Sequence, residues 1–270
     1  METIKEWDES STSTDAQVMK ANLPIVLGKR KESGEYAVLD LCSACGILMA
    51  GMDDFFISEL YESILASLLY YHSRKELSFL FIDTNDMFFE YSERLNCLET
   101  VAGLEQSKKT MQWLWNEMER RYAVLTKAKY RTIQDFNSDN ADKMPFIVVC
   151  ISDLEDWADI REKDKDFTRM WMEVSQKGRA VGIHFIAATG YPTAKVLPSS
   201  VTANFPVRIA LKLPNANQSK IVINMEDAEK LESDYEMYLY DITSGKAEIV
   251  EWQGTRYEDF KELINKYIKE

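Results

Sequence analysis

Phe146-Ile147-Val148-Val149-Cys150-Ile151-Ser152-Asp153 is the strongest strand signal in the chain. Six apolar residues in a row, several β-branched, read as a strand buried on both faces, and such strands belong to parallel sheets covered by helices. The run ends in polar residues, which places a loop at its C-terminal end. In open α/β sheets that end is where ligands bind.

Working outward, the same pattern recurs. Gly46-Ile47-Leu48-Met49-Ala50-Gly51 reads as a short buried strand, followed by a helix over about 57–72 with apolar residues at Ile57, Leu60, Tyr61, Ile64, Leu65, Leu68 and Leu69. Ser78–Asp83 is another apolar run closed by an acid. A long helix is predicted over about 104–128, and another over about 164–179. Gly182–Thr189 and Val207–Leu211 read as strands. Pro24–Gly28 and Tyr36–Leu39 flank a Glu32-Ser33-Gly34 turn, and Tyr238–Tyr240 and Ala247–Val250 flank Ser244-Gly245, so a hairpin is expected at each end. A last amphipathic helix covers about 256–268. Strands alternating with helices predict an α/β layered fold with a mostly parallel central sheet. The Ser/Thr-rich first 20 residues read as a linker from a preceding domain, and residues 21–270 as one domain.

Composition bounds the function. The chain has 270 residues, 46% hydrophobic and 29% charged, enough for a large core without staples. Its formal net charge is −13, which argues against nucleic acid or an anionic membrane surface as the main ligand. The cysteines stand at 42, 45, 97 and 150. Cys42 and Cys45 form a CxxC, but no second pair or His cluster completes a zinc site, and His72 and His184 both fall inside apolar patterns. The polar start, Met1–Glu6, has no signal-peptide pattern, and no stretch reaches the ~20 apolar residues of a membrane span.

Several segments, in order and spacing, resemble the FtsK/SpoIIIE-type motor ATPases over about 23–249. They are Leu23-Pro24-Ile25-Val26-Leu27-Gly28-Lys29, Asn116–Tyr122, Met144–Val149, Gln176–His184 and Ala203–Ala210. The resemblance implies a RecA-like P-loop fold, with the C-terminal hairpin and helix as additions. It also implies a phosphate loop of the form Gly-x-x-Gly-x-Gly-Lys-Ser. This chain has Gly51-Met52-Asp53-Asp54-Phe55-Phe56-Ile57-Ser58, which keeps only the first Gly and the last Ser. The lost glycines would let backbone amides wrap phosphates, and the lost Lys would pair with them. Asp53 and Asp54 put negative charge there instead. Either acid can cap the following helix; the other reading is a nucleotide site with unusual contacts.

The family's Asp-Glu pair at the end of the next strand is Ser152-Asp153 here. Asp153 is the remnant acid and the candidate catalytic residue, and Glu155 and Asp156 follow as a solvated acidic loop or weak metal ligands. Where relatives carry Gln-Arg after the Thr189 position, this chain has Gly190-Tyr191 before Pro192. Gly51, Asp53, Asp54, Ser58, Ser152 and Thr189 are therefore the degenerate cofactor site. No cofactor is expected with high affinity, and ATP with magnesium only weakly.

Arg208 and Arg179 hold family positions. Arg208 is an inter-subunit candidate or pairs with an acid on a strand; Arg179 is an inter-subunit candidate or pairs with a helix end. The acidic charge and the altered loop are similar to the C-terminal ATPase domain of the EssC/EccC-type coupling proteins of type VII secretion. That resemblance implies the cytoplasmic side of a membrane, preceding ATPase domains in the same polypeptide and a possible homo-oligomeric ring. It also implies small helical effectors whose tails dock in an apolar groove, for which Trp113, Trp115, Trp157 and Trp171 are the aromatic candidates. The function it implies is recruitment and motor assembly without strong hydrolysis. The alternative is an active motor domain of a protein or DNA translocase.

Overall fold

The computed structural model describes residues 17–95 and 104–269. Cys97 and most of the expected linker lie outside them. In chain order the elements are β1 (Pro24–Arg30), β2 (Tyr36–Asp40), α1 (Leu41–Ala44), β3 (Gly46–Ala50), α2 (Asp54–Tyr71), β4 (Leu77–Ile82), α3 (Phe89–Leu95), α4 (Leu104–Ala128) and α5 (Ile133–Asp139). There follow β5 (Phe146–Ile151), α6 (Glu155–Lys163), α7 (Lys165–Lys177), β6 (Ile183–Thr189), α8 (Ser199–Thr202), β7 (Val207–Ala210), α9 (Ala216–Ile223), β8 (Glu236–Asp241), β9 (Lys246–Glu251) and α10 (Tyr257–Lys269).

All the described strands join one sheet in the order β2-β1-β9-β8-β7-β3-β6-β5-β4. The block β7-β3-β6-β5-β4 is parallel throughout. Every residue of β3, β5 and β6 is buried, as the apolar runs predict. The two expected hairpins form, and they join the sheet instead of standing apart: β8 pairs with β7, and β9 with β1, all antiparallel.

Helices cover both faces. On one face α2, α3 and α10 bury Ile57, Leu60, Leu95, Phe260 and Leu263 against Ile47, Phe79 and Phe81. On the other, α4, α6, α7 and α9 bury Leu114, Met118, Trp157, Trp171 and Val222 against Leu48, Leu80 and Val149. Tyr61 anchors α2 to the sheet, its hydroxyl lying 2.7 Å from Ile151 O and 2.9 Å from Ile186 O. Trp157 and Trp171 are fully buried with rings 4.9 Å apart, so neither serves a surface groove. Trp113 is exposed, and Trp115 donates from Nε1 to Glu173 at 2.8 Å.

The Asn116–Tyr122 segment locks α4 onto the chain before β6. Arg121 is 2% exposed, binds Glu117 at 2.8 Å and donates from Nη1 to Val181 O at 2.9 Å, while Tyr122 Oη donates to Lys177 O at 2.8 Å. Gly182 then turns the chain into β6 at φ +78°, where an added Cβ would stand 2.7 Å from Ile133 Cδ1. Only glycine meets both demands. His72 caps α2, its ring nitrogens within hydrogen-bonding distance of Leu68 O and Asn22 O. No described helix is long and apolar enough to cross a membrane.

Candidate functional site

The C-terminal ends of the adjacent strands β3, β6 and β5 meet at one edge of the sheet. Gly51 N–H reaches Thr189 O at 3.4 Å, Leu154 N–H reaches Ala188 O at 2.9 Å, and Ser152 N–H reaches Ile82 O at 3.0 Å. Met52 N–H donates to Lys212 O at 3.0 Å, which ties the same edge to the end of β7. The expected residues Gly51, Asp53, Asp54, Ser152, Asp153 and Thr189 thus come together.

Between β3 and α2 only Gly51, Met52 and Asp53 remain outside regular structure. Residues 54–58, which in the glycine-rich form of the loop would cradle phosphate, are the first turns of α2. Ile57 N–H donates back to Asp53 O at 3.2 Å. Asp53 is the N-cap, in an extended conformation, and its Oδ1 accepts from Phe55 N–H at 2.9 Å. This is the standard satisfaction of an orphan amide at a helix start. Asp54 follows in the first turn, where its charge suits the helix dipole. An added Cβ on Gly190 would stand 3.0 Å from Asp54 Oδ1, so this carboxylate packs against the turn after β6. Ser58 lies in α2, part-buried.

Around Asp153 the site is drier. Its Oδ1 accepts from Glu155 N–H at 2.9 Å, and it hydrogen-bonds the Thr189 side chain. Burial, with Glu155 and Asp156 adding like charge, pushes its carboxyl up to about 6. Thr189 Oγ1 also accepts from Tyr191 N–H at 3.2 Å, which fixes the turn after β6. Ser152 is 1% exposed, and its Oγ accepts from Thr84 N–H at 3.0 Å. It stitches β5 to the chain leaving β4 and offers no open metal position. Asp83 at the end of β4, not singled out in the sequence, receives Met87 N–H at 3.0 Å and Phe88 N–H at 2.8 Å. Its acid at a strand end was the signal, and its use is local.

Two expectations need correction, one for the acids after Asp153 and one for Arg208. Glu155 and Asp156 are not a loop: they open α6, where acids complement the free amides of a helix start. Among the described residues, no group of three or more His, Cys, Asp or Glu could hold a metal. Arg208 pairs with no acid among the described residues: it is 3% exposed and donates to Phe205 O at 3.1 Å, Val222 O at 3.0 Å and Thr202 O at 3.0 Å. Arg179, by contrast, is exposed, at the opposite edge of the sheet, with Nη1 2.8 Å from Cys45 Sγ.

A parallel block with a strand, a short loop and a helix at its centre, flanked by helices on both faces, is the architecture of a P-loop ATPase domain. The chain belongs to the FtsK/SpoIIIE family, whose model matches residues 8–227. It is 30% identical over 217 residues to a DNA translocase FtsK of Borreliella burgdorferi, covering 77% of this chain and 27% of that protein. It is 35% identical over 219 residues to a DNA translocase FtsK of Campylobacter jejuni, covering 78% of this chain and 23% of that protein. The chain therefore spans about a quarter of the length of these relatives.

Among solved structures, it resembles the cytoplasmic domain of the Thermomonospora curvata type VII secretion ATPase EccC. The TM-score is 0.76 at 19% identity, over 92% of this chain and 31% of that one. It also resembles T. curvata EccC (ATPases 2 and 3) in complex with a signal sequence peptide, with TM-score 0.70 at 15% identity, over 92% of this chain and 46% of that one. At these identities the likeness is one of fold.

Proposed function

We propose that this chain is a degenerate FtsK/SpoIIIE-type ATPase domain of a type VII secretion coupling protein, acting in effector recruitment and motor assembly at the cytoplasmic side of a membrane rather than in strong ATP hydrolysis. The observation that carries the reading is the start of α2 at Asp54. Of the amides that would wrap phosphate, Phe55 N–H is taken by the Asp53 carboxylate and Ile57 N–H by Asp53 O, so Asp53 caps the helix with the protein's own anion. ATP would bring about four more negative charges against Asp53 and Asp54. The lysine that would pair them is Ile57, fully buried in the core. The EccC fold neighbours support the branch, and one of them, EccC ATPases 2 and 3, is in complex with a signal sequence peptide. In this reading the partners are preceding ATPase domains of the same polypeptide and small helical effectors, with a homo-oligomeric ring in the full-length protein. The expected linker over 1–20 and the single domain over 21–270 belong to the same reading.

A calorimetric titration with Mg-ATP to millimolar concentration tests it. No heat and no thermal shift are expected; micromolar binding would overturn it. A second reading, an active translocase motor, is favoured by the FtsK relatives at 30–35% identity. Its base would be Asp153, so turnover abolished by Asp153→Asn would select it.

A further inference from the structure

The proposed function leaves the CxxC unused, and the fold gathers it into one tight turn at the edge of the sheet opposite Asp53. Cys42 lies in α1 and Cys45 directly follows it, with Cys45 N–H donating to Leu41 O at 3.1 Å. Residues three apart on such a turn have Cα atoms about 5 Å apart, inside the roughly 4.4–6.8 Å that a disulfide spans. The Asp40 carboxylate fixes the turn. It accepts from Leu23 N–H at 3.0 Å, from Cys42 N–H at 3.1 Å and from Ser43 Oγ at 2.9 Å. Both thiols are free. The pair is no metal centre: among the described residues no third ligand joins it.

The two sulfurs have different surroundings. Cys45 is half-buried. Its Sγ accepts from Nη1 of the exposed Arg179 at 2.8 Å and donates to Ser43 O at 3.4 Å. Its backbone stands at φ +67°, ψ −47°, close to the γ-turn conformation that is rare and strained for a residue with a side chain. Strain of this kind concentrates at functional sites. Cys42 is 5% exposed, with its Sγ 3.6 Å from His184 Nε2. Burial raises the Cys42 thiol, which keeps it protonated. One sulfur is thus open to a reagent, and the other is held in reserve one helical turn away.

We propose that Cys42 and Cys45 form a reversible redox pair, oxidised by a low-molecular-weight disulfide, with Cys45 as the attacking sulfur and Cys42 as the resolving one. In the first step Cys45 Sγ bonds to one sulfur of the oxidant. The oxidant's S–S bond breaks, and its other half leaves as a thiolate that takes up the Cys45 proton. Cys42 Sγ then attacks the Cys45 sulfur. The mixed disulfide breaks, and the second thiolate leaves with the Cys42 proton. The chain loses two electrons and two protons, and one disulfide becomes two thiols. Closing the bond takes Cys42 from His184 in β6 and Cys45 from Arg179, so the redox state reaches both. On the cytoplasmic side such a disulfide is transient, as in a sensing pair. The inference goes beyond the proposed function and is independent of it: micromolar Mg-ATP binding would sink that reading and leave the thiol pair in place.

The test equilibrates the whole chain in glutathione buffers from fully reduced to fully oxidised. Samples are alkylated and read by intact mass and peptide mapping. One transition is expected, in which two thiols disappear together and mapping links Cys42 to Cys45. Dithiothreitol should restore both. Cys150, fully buried, should stay reduced. In the parent chain the His184 ring signals should shift in NMR spectra on oxidation. Cys42→Ala should trap glutathione on Cys45 as a stable mixed disulfide, and Cys45→Ser should abolish both the adduct and the link. Circular dichroism checks that each variant folds; where one does not, the mapping of the parent chain decides. Cys42 and Cys45 both alkylated in fully oxidised buffer would overturn the proposal. So would a link that runs to Cys97 or Cys150 instead, unmoved His184 signals, or as much glutathione trapped on Cys45 in the parent as in Cys42→Ala.

Discussion

Replacing Asp53 tests the capping account at the atom that carries it. Asp53 Oδ1 accepts from Phe55 N–H at 2.9 Å in the geometry of an N-cap. Alanine cannot accept, so Asp53→Ala should destabilise the chain by about 1 kcal/mol, and Asp53→Gly by only a few tenths, because glycine leaves the amide open to water. Asparagine and serine keep an acceptor and should stay within about 0.5 kcal/mol of the parent. For a chain of this size, about 1 kcal/mol moves the melting temperature by about 2–4 °C. Urea denaturation followed by circular dichroism would read the shift as a change in midpoint at constant slope. If Asp53→Ala leaves the midpoint unchanged, or Asp53→Asn costs as much as Asp53→Ala, the N-cap does not hold α2 and the reasoning is refuted.

Two further predictions concern groups within the fold. The Asp153 carboxyl, near 3.8 when unfolded, rises to about 6 in the folded chain, so its contribution favours folding at low pH and is lost as pH rises through 6. Asp153→Asn should therefore stabilise the chain by on the order of 1–3 kcal/mol at pH 8 and by little at pH 4. His184 acts with the opposite sign. Burial lowers it from 6.5 to about 4, and its contribution is lost as pH falls across that window. The difference between variant and parent, followed by urea denaturation across pH, is thus the quantity to measure; a flat difference would refute the assignment. Arg208→Met removes the donor to three buried carbonyls and should cost about 3 kcal/mol, since each unpaired buried acceptor costs about 1–3 kcal/mol before relaxation. A fully stable Arg208→Met that had lost only a subunit contact would refute the buried clamp.

The central strands were legible because a strand covered on both faces is apolar along most of its length: Phe146–Ile151 is apolar throughout, and Ile183–Thr189 is broken only by His184 and Thr189. The helix 104–128 was legible from its length. Helix α6 was not: Glu155–Lys163 buries only Trp157, Ala158 and Ile160, too few to make a stripe, and its acids read as loop. Helix α9, Ala216–Ile223, hid behind the turn-like Asn215, which is its N-cap. The start of α2 was set three residues late, at 57, because Asp54, Phe55 and Phe56 carry no apolar periodicity of their own and the cap decides. The cluster of site residues followed from the strand ends. The role of Arg208 did not, because its partners are backbone carbonyls, which leave no mark in a sequence.

Residues 54–58 are helix instead of phosphate loop. Amide hydrogen exchange at Ile57 and Ser58, resolved by NMR with and without millimolar Mg-ATP, tests it most directly. Both amides are expected to be protected in the free chain, with rates unchanged by nucleotide. Fast exchange in the free chain, with protection appearing only when Mg-ATP is added, would contradict it.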